Sequence, residues 1–321
     1  MPSHNRIITV IGATGNQGSG VVSALFSSTA FSVRAVSRDP SSKAAKALLD
    51  KHADAVKEGR FEVVAGELSD QNSLEKALEG AYGSFGAWTS YSDEYAEVKR
   101  LVDAAKAAGI AHFVYSSLPS ITEASGGKLT KVKLFDNKAK VTSYAKEQLP
   151  AATAVVPGSF LSNLYKPIYT RRGDDGTAIF CEPIKEATTL EFVDESYDVG
   201  VTVAAILTKG PSLTASKTYF IGGPPTTTPE LAAEYAELTG EKTLIRPLSR
   251  EEALSIYPLP EEVVEEYSQM YEYLDTVDPS KRMYGTVEPE EVQTEEELGV
   301  RASTLKEWLD RTGFRVGASA E

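Results

Sequence analysis

The sequence predicts an α/β fold: a doubly wound parallel sheet with a smaller mixed α+β C-terminal domain. Two observations carry this reading. Short β-branched or apolar runs alternate with helix-length amphipathic stretches through the first half of the chain, and the first such run ends in a cluster of glycines. Strands separated by helices require right-handed crossovers, which lay helices on both faces of a parallel sheet.

The elements follow in order. Residues 7–11 form a short β-branched run, and a helical pattern covers 19–26. Strand patterns recur at 31–37, 61–65, 83–88, 113–115 and 152–156. Between them lie helical patterns at 44–49, 74–78 and 95–108, the last closed by Gly109, and a further helix carrying Val141 and Tyr144. From Pro157 the rhythm breaks. Prolines and glycines gather at 222–225, and acidic pieces such as 261–266 and 295–297 read as solvated helix faces. The chain therefore divides into a nucleotide-binding domain over 1–157 and a smaller substrate or partner domain over 158–321, interleaved with the first domain's sheet. That second part is expected on the sheet's carboxyl edge, where open α/β sheets bind ligands.

Composition excludes several classes. The 321 residues carry 33 Lys plus Arg against 46 Asp plus Glu, a formal net charge of −13, which makes direct nucleic-acid binding a poor expectation. Cys181 is the single cysteine, so no intramolecular disulfide and no cysteine-based zinc site can form. His4, His52 and His112 lie far apart, without ligand spacing, and no metal is expected. The first six residues hold no apolar leader, and no run approaches the roughly 18 apolar residues of a membrane span. The expected location is the cytoplasm, with the nucleus as a second compartment.

The sharpest local signal is Gly12-Ala-Thr14-Gly15-Asn16-Gln17-Gly18, spaced G-x-x-G-x-x-G between a strand and a helix. Glycines let the backbone approach a pyrophosphate, and the helix amino end adds unpaired N–H groups and a positive dipole end. That context makes it a dinucleotide site of the Rossmann type. Strand two then ends in Ser37-Arg38-Asp39-Pro40, with Lys43 close behind. An NAD site usually places a carboxylate there for the ribose hydroxyls; here Arg38 can fork onto a 2′-phosphate and Lys43 adds charge. Asp39 could serve as the ribose acid, but its place before Pro40 suits a turn better. NADP(H) is the favoured cofactor.

The residues 11–18, then Ser37-Arg-Asp-Pro40, Tyr115-Ser-Ser117 and Phe135-Asp-Asn-Lys138, in this order, resemble the NmrA-like family of atypical short-chain dehydrogenase/reductases. The resemblance runs through Asp194-Glu-Ser-Tyr-Asp-Val-Gly200 and a helix start at Pro229. It implies a Rossmann domain plus a small C-terminal domain with the cofactor between them. It also implies one of two roles: redox-sensing partner of a transcription factor, or reductase.

Short-chain dehydrogenases usually pair tyrosine and lysine as Tyr-x-x-x-Lys. If Lys138 is that lysine, the acid position is Leu134, which cannot transfer a proton. Three roles stand open for Lys138: ribose binding alone, acid–base catalysis in its own right, or a solvated lysine in a lysine-rich stretch. Ser117 either hydrogen-bonds a substrate carbonyl or caps a loop. The resemblance further places Thr89 beside the cofactor ribose, and Phe160 and Asn163 along the nicotinamide pocket. Trp88, Tyr91 and Tyr95 are candidates for a cleft wall or for plain core. The expected function is an NADPH-dependent oxidoreductase acting on a small carbonyl or conjugated substrate. The alternative is a non-enzymatic NADP(H) sensor regulating a transcription factor or other partner; a scaffold for redox-neutral chemistry is a weaker third. The expected assembly is a monomer or homodimer.

Overall fold

The structure, a computed structural model, describes residues 6–87, 94–257 and 259–318. His4, Trp88, Thr89 and Tyr91 lie outside the described residues. The first half alternates as the sequence pattern requires: β1 (Ile7–Ile11), α1 (Asn16–Ser28), β2 (Ser32–Ser37), α2 (Lys43–Lys51), α3 (Ala53–Lys57), β3 (Phe61–Ala65), α4 (Gln71–Leu78), β4 (Gly83–Gly86), α5 (Glu94–Ala107), β5 (His112–Ser116), α6 (Ile121–Ala124), α7 (Lys133–Gln148) and β6 (Ala152–Pro157). The second half holds shorter strands: β7 (Ser159–Phe160), β8 (Thr170–Arg172), β9 (Ala178–Phe180) and β10 (Thr189–Val193). Then come α8 (Tyr197–Lys209), α9 (Pro211–Thr214), β11 (Thr218–Ile221), β12 (Pro225–Thr227), α10 (Thr228–Thr239) and β13 (Thr243–Ile245). The chain closes with α11 (Arg250–Ser255), α12 (Glu261–Leu274), α13 (Thr294–Leu298) and α14 (Leu305–Thr312).

Seven strands form one sheet in the order β11-β6-β5-β4-β1-β2-β3, and every pairing in it is parallel. Strand order reverses between β1 and β4, which opens a crevice at their carboxyl ends. The central strands β5 and β6 are buried throughout, as a sheet covered on both faces demands. The last strand, β11, comes from beyond residue 157 and pairs with β6, so the C-terminal segment re-enters the large sheet. Two three-stranded sheets, β12-β10-β7 and β13-β9-β8, stand apart from it and carry the smaller mixed part of the fold.

The segment 194–200 joins these parts through Asp194, Asp198 and Gly200. Asp194 Oδ1 accepts from Tyr197 N at 3.1 Å as α8 begins, and Arg311 of α14 pairs with its other oxygen at 2.9 Å. Asp198, fully buried, accepts from Ser303 N at 2.9 Å and ties α8 to the C-terminal segment. Gly200 faces Gly20 of α1 so closely that a Cβ on it would lie 2.6 Å from Gly20 O; a Cβ on Gly20 would lie 1.8 Å from Ser196 O. Gly20 thus serves the contact between α1 and α8. Of the acidic run 261–266, Glu266 departs from the solvated-face reading: its Oε1 accepts from Leu134 N and caps the start of α7, which has no side-chain cap of its own.

Candidate active site

The crevice at the sheet's carboxyl edge begins with the glycine loop. β1 stops at Ile11 and Gly12 turns the chain with φ +72°, a left-handed conformation where a side chain would be strained. A Cβ there would also lie 2.6 Å from Ala87 O at the end of β4, so the loop sits on the switch between β1 and β4. Gly15 N donates to Gly12 O at 3.0 Å, and a Cβ on Gly18 would lie 2.2 Å from that same oxygen. The helix that follows starts at Asn16, three residues before the pattern suggested, because the tight loop already carries Asn16 and Gln17 in helical geometry. Its N-cap, Gly15, supplies no side-chain acceptor, and no acidic residue stands in the first turn. Such a helix end attracts an anion.

A cavity of about 570 Å³ lies over the ends of β1, β2 and β3, lined by Gly12, Thr14, Gly15, Ser37, Arg38 and Ser42 among others. Asp39 is on its wall but its carboxylate is already engaged, accepting from Ser41 N at 2.8 Å and Ser41 Oγ at 2.6 Å. Those bonds hold its pKa below the ordinary aspartate value and fix it in the turn. Lys43, the first residue of α2, is exposed beyond the wall; Ser42 completes the lining instead.

A second cavity, about 210 Å³, lies over the ends of β5 and β6. Gln17 of the glycine helix, Ser117, Lys138, Phe160 and Asn163 all reach it, so five sequence candidates meet there. Lys138, on α7, is 6% exposed and forms an ion pair with Glu94 at the start of α5. Burial pushes the Lys138 amine below the usual lysine range, opposed by the Glu94 charge. Burial likewise raises the Glu94 carboxyl, opposed by Lys138. Tyr115 donates to the same Glu94 oxygen at 3.3 Å, and burial raises its own pKa far out of the working range, so this phenol stays protonated. Glu94 Oε2 is buried and takes no hydrogen bond from the described residues.

Ser117 is tied into the scaffold. Its Oγ donates towards the carbonyls of Lys138 and Leu118, both at 3.3 Å, and accepts from Thr142 Oγ1 at 2.7 Å. The loop-fixing role therefore accounts for its hydroxyl. Asn163 Oδ1 accepts from Lys166 Nζ at 2.8 Å. Tyr95 packs against the core cluster beside α5.

Several residues of the site were not singled out in the sequence. Glu195, 2% exposed, accepts from Asn16 Nδ2 at 2.9 Å and from Ser162 Oγ, clamping the glycine helix to the 159–165 segment. Tyr284 closes the second cavity from a left-handed backbone (φ +57°), and Met283 before it is left-handed too (φ +52°). Such residues persist only where surroundings over-determine them: Arg282 pairs with Glu191, Met283 N donates to Glu191 Oε2 at 3.0 Å, and Tyr284 Oη donates to Pro157 O at 3.0 Å. Glu182 lines the same cavity from the C-terminal side. Its carboxyl is pushed up to about 7 by burial.

The polar atoms left over suit a dinucleotide. Gln17 Oε1 and Glu195 Oε2 are buried acceptors with no hydrogen bond among the described residues, both at the glycine helix. The glycine cradle is one a single Cβ would fill. Open donors at a helix end, unsatisfied acceptors beside it and an arginine at the end of β2 suit a group with phosphates at one end and amide donors at the other. Among the described residues no cluster of three His, Cys, Asp or Glu could hold a metal ion, and no helix is long and apolar enough to cross a membrane.

A seven-stranded parallel sheet in this order, with a glycine cradle at its switch point, defines a Rossmann-type dinucleotide-binding fold. Within that class the assignment is specific: the model of the NmrA-like family matches residues 4–309, and the chain belongs to that family. It is 31% identical over 280 residues to NmrA-like family domain-containing oxidoreductase hkm9 of Aspergillus hancockii, covering 81% of each chain. It is 35% identical over 168 residues to the NmrA-like oxidoreductase FrzB of Cladobotryum sp, covering 49% of this chain and 47% of that one. The crystal structure of NmrA, a negative transcriptional regulator, in complex with NADP superposes with a TM-score of 0.73 at 21% identity, covering 97% of this chain and 93% of the other. At that identity the likeness speaks for the fold.

Proposed function

We propose that the chain binds NADP(H) along the carboxyl edge and reduces a small, largely apolar carbonyl or conjugated substrate held in the second cavity. One observation carries this reading. Lys138 is buried in the wall of a cavity that also receives Gln17 from the glycine helix, so a titratable amine and the cofactor cradle meet at one place. The relative hkm9, named an oxidoreductase, supports it. Preference for the phosphorylated cofactor is supported by Arg38 on the wall of the first cavity and by an Asp39 carboxylate held in its turn through Oδ1 by Ser41.

The chemistry such a cofactor supplies when bound is hydride transfer. The remaining tasks fall to the chain. Lys138 Nζ donates the proton that neutralises the developing alkoxide or enolate, in the place a tyrosine would take if position 134 were not leucine. Glu94 holds the ammonium in place and its charge opposes the loss of the amine's proton to burial, with Tyr115 steadying the carboxylate. Phe160, Leu164 and Ile184 exclude water. In a screen of carbonyl and enone substrates, NADPH consumption should be lost in Lys138→Met while NADPH affinity changes by less than about threefold. Turnover should fall as pH rises through a value below the ordinary lysine range. Glu94→Gln should move that limb to lower pH, since the Glu94 charge is what raises the amine. NADPH consumption unaffected by Lys138→Met would overturn the assignment.

A second reading, an NADP(H) sensor that regulates a partner protein, is favoured by Leu134 at the acid position and by the fold shared with the regulator NmrA. A sensor would show no turnover and a partner affinity that depends on the NADPH/NADP⁺ ratio. The partner would in turn shift cofactor affinity by the same factor.

A further inference from the structure

The second cavity carries a feature that the reaction proposed above does not use, and the inference drawn from it rests on reading that cavity as the substrate pocket. Glu182, 6% exposed, stands on the wall built by the C-terminal part of the chain, beside Ile184, Leu190 and Leu274. Its Oε2 accepts a hydrogen bond from Thr228 Oγ1. Its Oε1 takes none from any described residue, and Glu182 forms no ion pair among the described residues. A carboxylate buried without a countercharge is unfavourable, and nothing in the fold requires one here, since an amide would accept from Thr228 equally well.

The neighbours bear on what would satisfy it. Tyr169 and Tyr271 border the same cavity, and burial raises both phenols, so they remain neutral. With Phe192 they make this wall aromatic, the kind of side chain that attracts a cation. A neutral N–H donor would leave the carboxylate charge unpaired; an ammonium would pair it. We propose that Glu182 is a specificity-determining anchor and that the cavity takes an apolar-bodied molecule bearing a protonated amine, whose N–H donates to Glu182 Oε1. Burial has moved the free carboxyl to about 7, and a bound cation would draw it back into the charged form at neutral pH.

The test uses the full chain and three probes of matched shape: 2-phenylethylamine, 2-phenylethanol and 3-phenylpropionate, each titrated by ligand-observed NMR with and without saturating NADPH. The amine should bind about tenfold or more tighter than the alcohol, as expected for a charge-assisted hydrogen bond, and the carboxylate weakest. Glu182→Gln should erase the amine preference and leave the alcohol's affinity unchanged, which also shows that the variant keeps its cavity. Equal binding of amine and alcohol by the natural chain, binding of neither, or an amine preference that survives in Glu182→Gln would overturn the assignment. The natural-chain series decides the matter even if the variant does not fold. Failure of NADPH to bind would count against the cofactor reading alone, because the preference is also measured without it.

Discussion

The Lys138–Glu94 pair can be dissected with Glu94→Gln, Lys138→Met and the double variant. Side-chain exposures of 8% and 1% put both groups out of reach of solvent screening. Breaking a buried pair by removing one partner costs about 3–5 kcal/mol, because the survivor stays buried with its charge unpaired. Glu94→Gln keeps shape and the contact with Tyr115, so about 3 kcal/mol is expected. Lys138→Met should cost less at pH 5 than at pH 8, since Glu94, whose carboxyl is already raised, can take up a proton. The double variant removes both charges and should lie within about 1 kcal/mol of the natural protein. Urea denaturation with unchanged m-values reads all four stabilities, and their cycle should give a coupling of about 2 kcal/mol or more. Additive single effects, with a coupling under about 0.5 kcal/mol, would refute the pair as the organising contact of the site.

Two further perturbations follow from the geometry. Gly20→Ala places a methyl 1.8 Å from Ser196 O, so α1 and α8 must separate; overpacking of this kind costs about 1–3 kcal/mol. Moving Ser196 also drags the adjacent Glu195 from Asn16, so NADPH affinity should fall along with the melting temperature, and a variant that loses neither would contradict the close approach. Glu182, with its pKa raised from 4.5 to about 7, contributes stability that is full below pH 4.5 and lost as pH rises through 7, about 3 kcal/mol in all. His112, lowered by burial from 6.5 to about 4, works oppositely, its contribution being full above 6.5 and lost as pH falls through 4. The two offset each other in the natural protein; Glu182→Gln should therefore lose stability between pH 7 and 4.5 relative to it, and parallel pH profiles would show that burial does not raise this carboxyl.

The parts of the site that the sequence displays are those fixed by local backbone demands. Gly12 needs its left-handed turn wherever the partner strand lies, and Asp39 enters its turn through a residue two positions on. The alternation of strand and helix likewise shows the sheet because each element's period is local. What stays hidden depends on contacts between distant segments. Glu94 meets Lys138 across 44 residues, and Glu195 meets Asn16 across 179; as letters they match any surface glutamate. Gly20 carries no local mark of its task, which is set by α8, far along the chain, pressing against it. Glu182 follows the lone cysteine with no charge pattern to mark it, and only the gathering of the 182–184 segment and α12 around the second cavity places it on that wall. The fold limits were legible to within a few residues for the same local reasons, while β11 joining the large sheet from beyond residue 157 is a tertiary pairing that no periodicity foretells.

Calorimetric titration checks whether the carboxyl edge is an NADP(H) site read by Arg38. NADPH and NADH are titrated into the natural chain and into Arg38→Ala. The expected result is tighter binding of NADPH by about tenfold or more in the natural chain, the scale of a charge-assisted hydrogen bond to a phosphate. In Arg38→Ala that preference should vanish while NADH affinity holds. Equal affinity for the two cofactors in the natural chain, or binding of neither, would contradict it.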